Sequence, residues 1–463
     1  MSQSTSAHKR ELFGTDGIRG AAGEYPLDRD TIIAIGRALG TRLGRETSKP
    51  RIVLGQDTRE SSAWIAEALA EGLAGSGAAF ASAGVITTPG VAFLVRTHGF
   101  HAGIVISASH NPWRDNGIKL FGPDGMKLAD AIEHEIEQDI FAHIEELAGS
   151  TPKHNFSADI LPGDAKLRED YIRWLVASVD TRHISGLRLL ADCANGAATS
   201  IAGPLFQTLG VEAELINVEP DGKNINDNCG ALYPQHVGDL VRKAGGKFDL
   251  GVTFDGDADR ALFSDANGNV VNGDAVMLIA GRDMLARGLL RTDTVVATTM
   301  SNMGLEKALR VAGIKMLRAN VGDKYVLEEM KKTGATLGGE QSGHILFMDG
   351  DSTTGDGLLT ALRVLDLVAR SGRPLHELLT GFHLFPQITK NVHVREKTPL
   401  AEMPTVMAAI RAAETELDGN GRVLVRYSGT ERLVRVMIEA DSETLMRLHA
   451  EAIANAIQAA IGV

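Results

Sequence analysis

The sequence predicts an α/β protein: three similar α/β/α domains with mixed, mainly parallel sheets, then a smaller C-terminal α+β domain. Three observations carry this reading. A strand–turn–helix–strand plan occurs three times along the 463 residues. A glycine stands at the end of each helix in that plan, where it supplies a left-handed cap. The final segment abandons the plan for short strands and two amphipathic stretches.

The first copy is the strand Arg51-Ile52-Val53-Leu54, the turn Gly55-Gln56-Asp57-Thr58-Arg59, and a helix through Trp64, Leu69 and Leu73 to Gly75-Ser76-Gly77. The second is the strand Leu187–Ala191, the turn Asp192-Cys193-Ala194-Asn195-Gly196, a helix ending at Leu209-Gly210-Val211, and a strand near Glu214. The third is the strand Thr294–Ala297, the turn Thr298-Thr299-Met300-Ser301-Asn302, a helix ending at Ala312-Gly313-Ile314, and the strand Lys315–Leu317. Units of this length read as βαβ crossovers, whose strands pair in parallel. The polar link Thr151–Pro162 follows a charged helix over Ile132–Leu147. A turn at Asp265-Ala266-Asn267-Gly268-Asn269 lies near the second boundary, and Thr380–Pro386 ends the third domain. The division is therefore 1–156, 157–264, 265–380 and 381–463. In the last segment Thr389–Arg395, Arg422–Val425 and Leu433–Glu439 read as strands, and Pro404–Leu417 and Ser442–Ile461 as helices.

Hydrophobic content of 44% and charged content of 23% are those of a globular protein. The net charge of −12 argues against nucleic acid or an acidic membrane surface as partner. An anionic substrate must then meet a local basic cleft. Two cysteines, Cys193 and Cys229, make no disulfide framework and fit a reduced, cytoplasmic setting. No signal peptide is expected from the polar start, and no apolar run reaches the ~18 residues of a spanning helix.

Four stretches carry chemistry. Ile104–Ile106 is a short buried strand that breaks into Ser107-Ala108-Ser109-His110-Asn111-Pro112. A serine beside a histidine at a strand's mouth is a candidate nucleophile, Ser109; the plainer reading is a strand-end turn. Asp255-Gly256-Asp257-Ala258-Asp259-Arg260 follows the strand Leu250–Phe254. Three carboxylates at alternate positions of an extended turn point the same way, and a hard cation such as Mg²⁺ relieves their repulsion. The alternative is a solvated acidic turn; an EF-hand is excluded by spacing. Gly338-Gly339-Glu340-Gln341-Ser342-Gly343-His344 offers Glu340, Ser342 and His344 to sugar hydroxyls, or is a Gly-rich turn around a buried glutamate. Arg426-Tyr427-Ser428-Gly429-Thr430 is a phosphate cradle or a polar hairpin.

Smaller stations accompany these. Asn320-Val321-Gly322-Asp323-Lys324 opens a helix whose N–H groups suit an anion. Arg19, in Phe13-Gly14-Thr15-Asp16-Gly17-Ile18-Arg19-Gly20, suits a phosphate or a salt bridge. Lys119 can act as acid or base if its pKa is lowered. No G-x-x-x-x-G-K-[ST] loop, strand-borne G-x-G-x-x-G or G-x-S-x-G elbow is present. Two phosphate-handling stretches without a nucleotide loop suggest phosphoryl transfer within one phosphorylated small molecule.

The serine loop, the Asp triplet, the Glu-Gln-Ser-Gly-His loop and the Arg-Tyr-Ser-Gly-Thr cradle occur in an order that resembles the α-D-phosphohexomutase superfamily. The Phe-Gly-Thr-Asp-Gly-Ile-Arg-Gly start, Gln341 and Asp221–Gly230 resemble its phosphoglucosamine mutase branch. Arg432 after Gly-Thr-Glu and Ala231-Leu232-Tyr233 after Cys-Gly depart from the family pattern.

The resemblance implies four domains around a central cleft and one reaction, glucosamine 6-phosphate to glucosamine 1-phosphate, towards UDP-N-acetylglucosamine. It implies that Ser109 carries the phosphoryl group as phosphoserine. Asp255, Asp257 and Asp259 would hold one Mg²⁺ together with an oxygen on Ser109. Glu340, Ser342, His344, Lys324 and Arg260 would bind the sugar, and Arg426, Ser428, Gly429, Thr430 and Arg435 its idle phosphate. Arg19, His110 and Lys119 would assist at the reacting centre, with Lys119 the first choice of base. Glucosamine 1,6-bisphosphate would be intermediate and primer, and the chain a cytoplasmic monomer or homodimer. Three rivals remain: a glucose- or mannose-phosphate mutase, a haloacid-dehalogenase-like phosphatase with Asp255 as nucleophile, and a sugar-phosphate-binding protein without catalysis.

Overall fold

The structure is a computed structural model that describes residues 11–14, 16–148, 162–350, 352–428 and 431–463. Most of the predicted Thr151–Pro162 link lies outside them, as do Thr15, Gly429 and Thr430. The chain divides into two compact units: Met1–Thr299 with Leu317–Thr380, and Met300–Met316 with Gly381–Val463.

The first unit holds three sheets. The first joins β1 (Phe13–Gly14), β2 (Gly17–Ala21), β3 (Arg51–Gln56), β4 (Ala79–Val85), β5 (Ala102–Ile106) and β6 (Asp115–Phe121) in the order β1-β2-β6-β5-β3-β4. The second joins β7 (Arg188–Asp192), β8 (Glu212–Ile216), β9 (Leu250–Phe254), β10 (Ala261–Asp265) and β11 (Val270–Val271) in the order β11-β10-β9-β7-β8. The third joins β12 (Thr294–Thr298), β13 (Lys315–Ala319), β14 (Leu337–Gly339) and β15 (Ile345–Phe347) in the order β13-β12-β14-β15.

The sheets are more evenly mixed than the helix–strand plan predicts. Parallel pairing joins β4-β3-β5, β8-β7-β9 and β12-β14. Beyond these, β5-β6, β9-β10 and β14-β15 are antiparallel, because short turns rather than crossover helices connect them. Those short turns matter: the Ser109, Asp255 and Glu340 stretches are the β5–β6, β9–β10 and β14–β15 connections.

Helices cover the sheets through apolar stripes. Arg29–Gly44 lays Ile32, Ile35 and Leu39 against Ile65, Leu69 and Leu73 of Ser62–Gly75, in one core with Ile52, Leu54, Ile104 and Ile106. The glycine stops fall where expected: Gly77, Gly210 and Gly313 have φ of 78°, 67° and 77°. Among the described residues no helix is long and apolar enough to cross a membrane.

The second unit contains a three-stranded antiparallel sheet of β16 (Gln387–His393), β17 (Gly421–Tyr427) and β18 (Leu433–Ala440), in the order β16-β18-β17. Pro404–Leu417 and Glu443–Ile461 pack on it through Val406, Ile410, Met446, Ile453 and Ile457. The helix of the third repeat, Met303–Val311, groups with this unit. Buried Glu439 accepts from Asn302 Nδ2 at 3.1 Å and from the Met303 N–H at 3.2 Å.

Candidate active site

β5 is buried along its whole length and delivers Ser107 and Ser109 at its end, both at most 2% exposed. Their roles differ. Ser107 Oγ donates to Asp57 Oδ2 at 2.7 Å and accepts from the Ser109 N–H at 2.9 Å. Ser109 has φ +53°, a left-handed conformation that a non-glycine residue keeps only when its surroundings enforce it. The enforcement is visible. The Ser109 carbonyl accepts from Arg59 Nη2 at 2.9 Å and from Asn226 Nδ2 at 3.0 Å. The same guanidinium donates to the Asn111 carbonyl at 2.9 Å and the Asp115 carbonyl at 3.0 Å. So held, Ser109 Oγ donates to Asp255 Oδ2 at 2.7 Å and lies 3.3 Å from His110 Nδ1.

The Asp triplet follows β9, also wholly buried. One carboxylate oxygen from each of Asp255, Asp257 and Asp259 lies within 4.8 Å of the others. They converge through a turn with Ala258 at φ +54°, not through the extended alternation expected. The turn swings Asp259 back beside Asp255, which an extended chain does not do. Burial, then Asp259 and Asp257, push the Asp255 carboxyl well up. Asp259 is held low: burial opposes its charge, but His344, Lys119 and Arg260 outweigh that. One oxygen each of Asp257 and Asp259 is buried without a hydrogen-bond partner. Crowded, buried, partly unpartnered carboxylates are the donor set a hard divalent cation takes, so these residues fit one.

Gly256, between the first two aspartates, sets the spacing of the two loops. A Cβ there would fall 2.5 Å from the Ser109 carbonyl oxygen and 2.8 Å from Asn226 Nδ2. Gly196 in turn touches Gly256, where an added Cβ would lie 2.4 Å from its carbonyl oxygen.

Around the triplet runs a net of buried charge. Lys119 sits on β6 opposite Val105. Its ammonium is 2.8 Å from Asp257, 3.2 Å from Asp16 and 3.8 Å from Asp259. Burial disfavours that charge, yet the three carboxylates override it and raise the pKa above its ordinary value. The condition attached to Lys119 as a base, a lowered pKa, is therefore corrected: its neighbours fix it as a cation. Lys127 bridges Asp16 and Asp323, at 2.5 and 2.6 Å. His344 lies 3.6 Å from Asp259 and 3.7 Å from Asp323. Burial opposes its protonation, but Asp259, Asp323 and Glu340 push its pKa up to about 9. His110 goes the other way, down to about 4, through burial and then Arg260 and Arg19.

A cavity of about 420 Å³ opens over these groups, lined by Arg19, Ser109, His110, Arg260, Glu340 and His344 among others. Arg19 and Arg260 each keep a buried Nε without a hydrogen-bond partner, so both have donor capacity here. Glu340 accepts from the Gly322 N–H at 3.0 Å and from Ser342 Oγ at 3.2 Å. Ser342 thus orients Glu340 and is not itself on the cavity wall. Lys324 also lies elsewhere: its ammonium pairs with Asp130.

Sequence reasoning did not single out Asp57, Arg59 or Thr88. Asp57 and Arg59 stand just beyond the end of β3, where α/β sheets place functional groups, and that position was the available signal. Thr88, whose hydroxyl and N–H both donate to Asp257, had none.

In the second unit, Arg426 on β17 stands directly across from Arg435 on β18. Like charges in register repel, and a bound anion relieves them. Ser428 is buried, and its carbonyl accepts from Lys397 Nζ at 2.7 Å.

Comparisons with known proteins agree with this geometry. The phosphoglucomutase/phosphomannomutase family models match in four parts: α/β/α domain I over residues 10–147, domain II over 169–268, domain III over 272–385 and the C-terminal domain over 390–456. A phosphoglucosamine mutase of Koribacter versatilis (strain Ellin345) is 64% identical over 98% of both chains. A phosphoglucomutase/phosphomannomutase family protein from Burkholderia thailandensis has the same fold, with a TM-score of 0.78 at 24% identity over 98% of this chain and 99% of that one. An Aspergillus fumigatus N-acetylphosphoglucosamine mutase, solved with GlcNAc-6P and magnesium, gives a TM-score of 0.67 at 20% identity, covering 100% and 98% of the two chains. The haloacid-dehalogenase-like reading of Asp255 falls with these matches. A serine nucleophile candidate bonded to an acidic triplet, on a chain matched end to end, leads to one assignment: the chain belongs to the phosphoglucosamine mutase family of the α-D-phosphohexomutases.

Proposed function

We propose that the chain interconverts glucosamine 6-phosphate and glucosamine 1-phosphate, with Ser109 carrying the transferable phosphoryl group. The observation that carries this reading is the 2.7 Å hydrogen bond from Ser109 Oγ to Asp255, at the floor of a cavity that also meets Glu340. Asp255, Asp257 and Asp259 would hold Mg²⁺, with an oxygen on Ser109. The ion, when bound, supplies positive charge against the phosphoryl group in transit.

The chain's own residues do the rest. Phosphoserine 109 gives its phosphoryl group to a sugar hydroxyl: the bond from phosphorus to Ser109 Oγ breaks, and one to the sugar oxygen forms. The hydroxyl's proton goes to His110, whose low pKa leaves a ring nitrogen free to accept. Lys119, fixed as a cation, and the free donors of Arg19 and Arg260 stabilise the charge. The bisphosphorylated sugar turns over in the cavity and returns its other phosphoryl group to Ser109. Glu340 and His344 orient the ring, and Arg426, Arg435, Ser428, Gly429 and Thr430 take the idle phosphate. Division of the chain near 156, 264 and 380 gives each segment one of these loops; the first bound falls between family-model matches, and the other two lie within five residues of a match's end.

The test is turnover on the 6-phosphates of glucosamine, glucose and mannose, primed with the matching bisphosphate. Preference for glucosamine 6-phosphate is expected. Preference for glucose or mannose transfers the chain to the phosphoglucomutase/phosphomannomutase activity.

A further inference from the structure

Two helices begin against the triplet loop, and one tyrosine meets both. The helix Thr88–Thr97 starts at Asp257: the Thr88 N–H donates to the Asp257 carbonyl at 3.0 Å, and the Thr88 hydroxyl to its carboxylate. The helix Gly357–Ser371 starts at the next residue. The Gly357 N–H donates to the Ala258 carbonyl at 3.0 Å, and a Cβ at Gly357 would lie 2.6 Å from the Arg260 carbonyl oxygen. Both N-caps are side chains: Thr87 accepts from the Gly90 N–H at 3.2 Å, and Asp356 from the Leu359 N–H at 2.9 Å. Tyr171, on a third helix over Ala165–Ala177, meets both helices. Its hydroxyl donates to Asp356 Oδ2 at 2.7 Å, and its ring packs on Phe93 of the helix that Thr87 caps. Phe93 and Trp174 hold the ring at centroid distances of 5.8 and 6.0 Å, and the residue is fully buried. None of Tyr171, Thr87 and Asp356 is among the residues that line the cavity.

We propose that Tyr171 is a positioning residue for the metal-binding loop: bonded to the N-cap Asp356 and packed on Phe93, it fixes the two helices whose starts clamp Asp257 and Ala258. This rests on the reading of Asp255, Asp257 and Asp259 as the metal site. Removing the hydroxyl frees Asp356 and with it the start of Gly357–Ser371, and the turn at Ala258 loses part of the frame that brings Asp259 back beside Asp255.

The experiment is calorimetric titration of the purified full chain with Mn²⁺ alone, with kcat and KM measured in parallel. Tyr171→Phe is expected to weaken Mn²⁺ binding ~10-fold or more, as changes behind metal ligands do, and to lower kcat while KM stays within about twofold. Leu175→Ala, a buried apolar change on the same helix that removes no hydrogen-bonding group, separates positioning from simple destabilisation. It is expected to lower the melting temperature and leave Mn²⁺ affinity unchanged. Asp356→Ala should match Tyr171→Phe, and Asp356→Asn, whose Oδ1 still caps while its Nδ2 donates to the Tyr171 oxygen, should restore affinity; this pair decides the matter if Tyr171→Phe does not fold. Unchanged affinity in Tyr171→Phe, equal weakening in Leu175→Ala, or no rescue by Asp356→Asn overturns the proposal and leaves the metal reading standing. A wild-type chain that binds no Mn²⁺, or an Asp255→Asn chain that binds it equally well, overturns both.

Discussion

Arg59 and Asp57 form an ion pair with no exposed side-chain surface, Nε to Oδ2 2.8 Å, and together they hold the loop that presents Ser109. Asp57 accepts from Ser107 Oγ and Ser62 Oγ, while Arg59 donates to the carbonyls of Ser109, Asn111, Pro112 and Asp115. Arg59→Ala leaves Asp57 as a buried unpaired charge, which costs about 3–5 kcal/mol. Arg59→Lys keeps the charge but loses the fork. The expected outcome is a lower melting temperature for Arg59→Ala and, for both, a fall in the fraction of chains carrying phosphoserine by intact mass. Full phosphorylation of a folded Arg59→Lys chain contradicts the assigned role.

Ser109→Ala removes the group proposed to carry the phosphoryl. Activity is expected to fall by ~10³-fold or more, as for loss of a covalent nucleophile. Phosphopeptide mapping should find the label on Ser109 in the wild type and none on Ser107, whose hydroxyl is committed to Asp57. Label on Ser107 would reverse the assignment of the two serines.

At Gly256 an added methyl meets the Ser109 carbonyl first, at 2.5 Å, and then the side chains of Asn226 and Ile225 at 2.8 and 2.9 Å. Gly256→Ala is expected to separate the Ser109 and Asp255 loops, at a stability cost of about 1–3 kcal/mol. Thermal unfolding and turnover report it together, and wild-type values for both would show that the loops give way freely.

His344 provides a pH signature in chelator-treated protein. Its folded pKa of about 9 lies above the ordinary 6.5, so its contribution to stability is full below pH 6.5 and is lost as pH rises through 9. The buried pair with Asp259 sets a scale on the order of 2–3 kcal/mol. Urea unfolding of wild type against His344→Gln should show a gap at pH 6 that closes above pH 9. A gap that widens with pH refutes the direction.

Across the C-terminal sheet, Arg426 and Arg435 stand in register, with Glu431 3.5 Å from Arg435 Nη2. Arg426→Ala is expected to raise KM for the sugar phosphate about 10- to 100-fold, the worth of one charge-assisted hydrogen bond, without destabilising the fold. Steady-state kinetics and a melting curve test both halves.

Much of this was legible in the chain because it is local. A strand run followed by small polar residues marks Ser109, and alternating aspartates mark the triplet. What stayed hidden depends on partners distant in sequence. Lys119 is a cation because Asp257, 138 residues away, is 2.8 Å from its ammonium. Tyr171 reads as one apolar position on an amphipathic helix until Asp356, 185 residues on, is seen at its hydroxyl. The extended geometry expected of Asp255–Asp259 failed for a different reason: Ala258 takes a left-handed conformation that residue type does not announce.

The packing of Gly196 on Gly256 and of Gly256 on the Ser109 carbonyl makes the gap between serine and triplet a ruler cut from main chain. Glu340 and His344, by contrast, reach the cavity from the separate hairpin between β14 and β15. An engineer who wants another sugar handled by the same phosphoryl relay therefore has a natural seam: rewrite the hairpin, and leave the glycine stack as found.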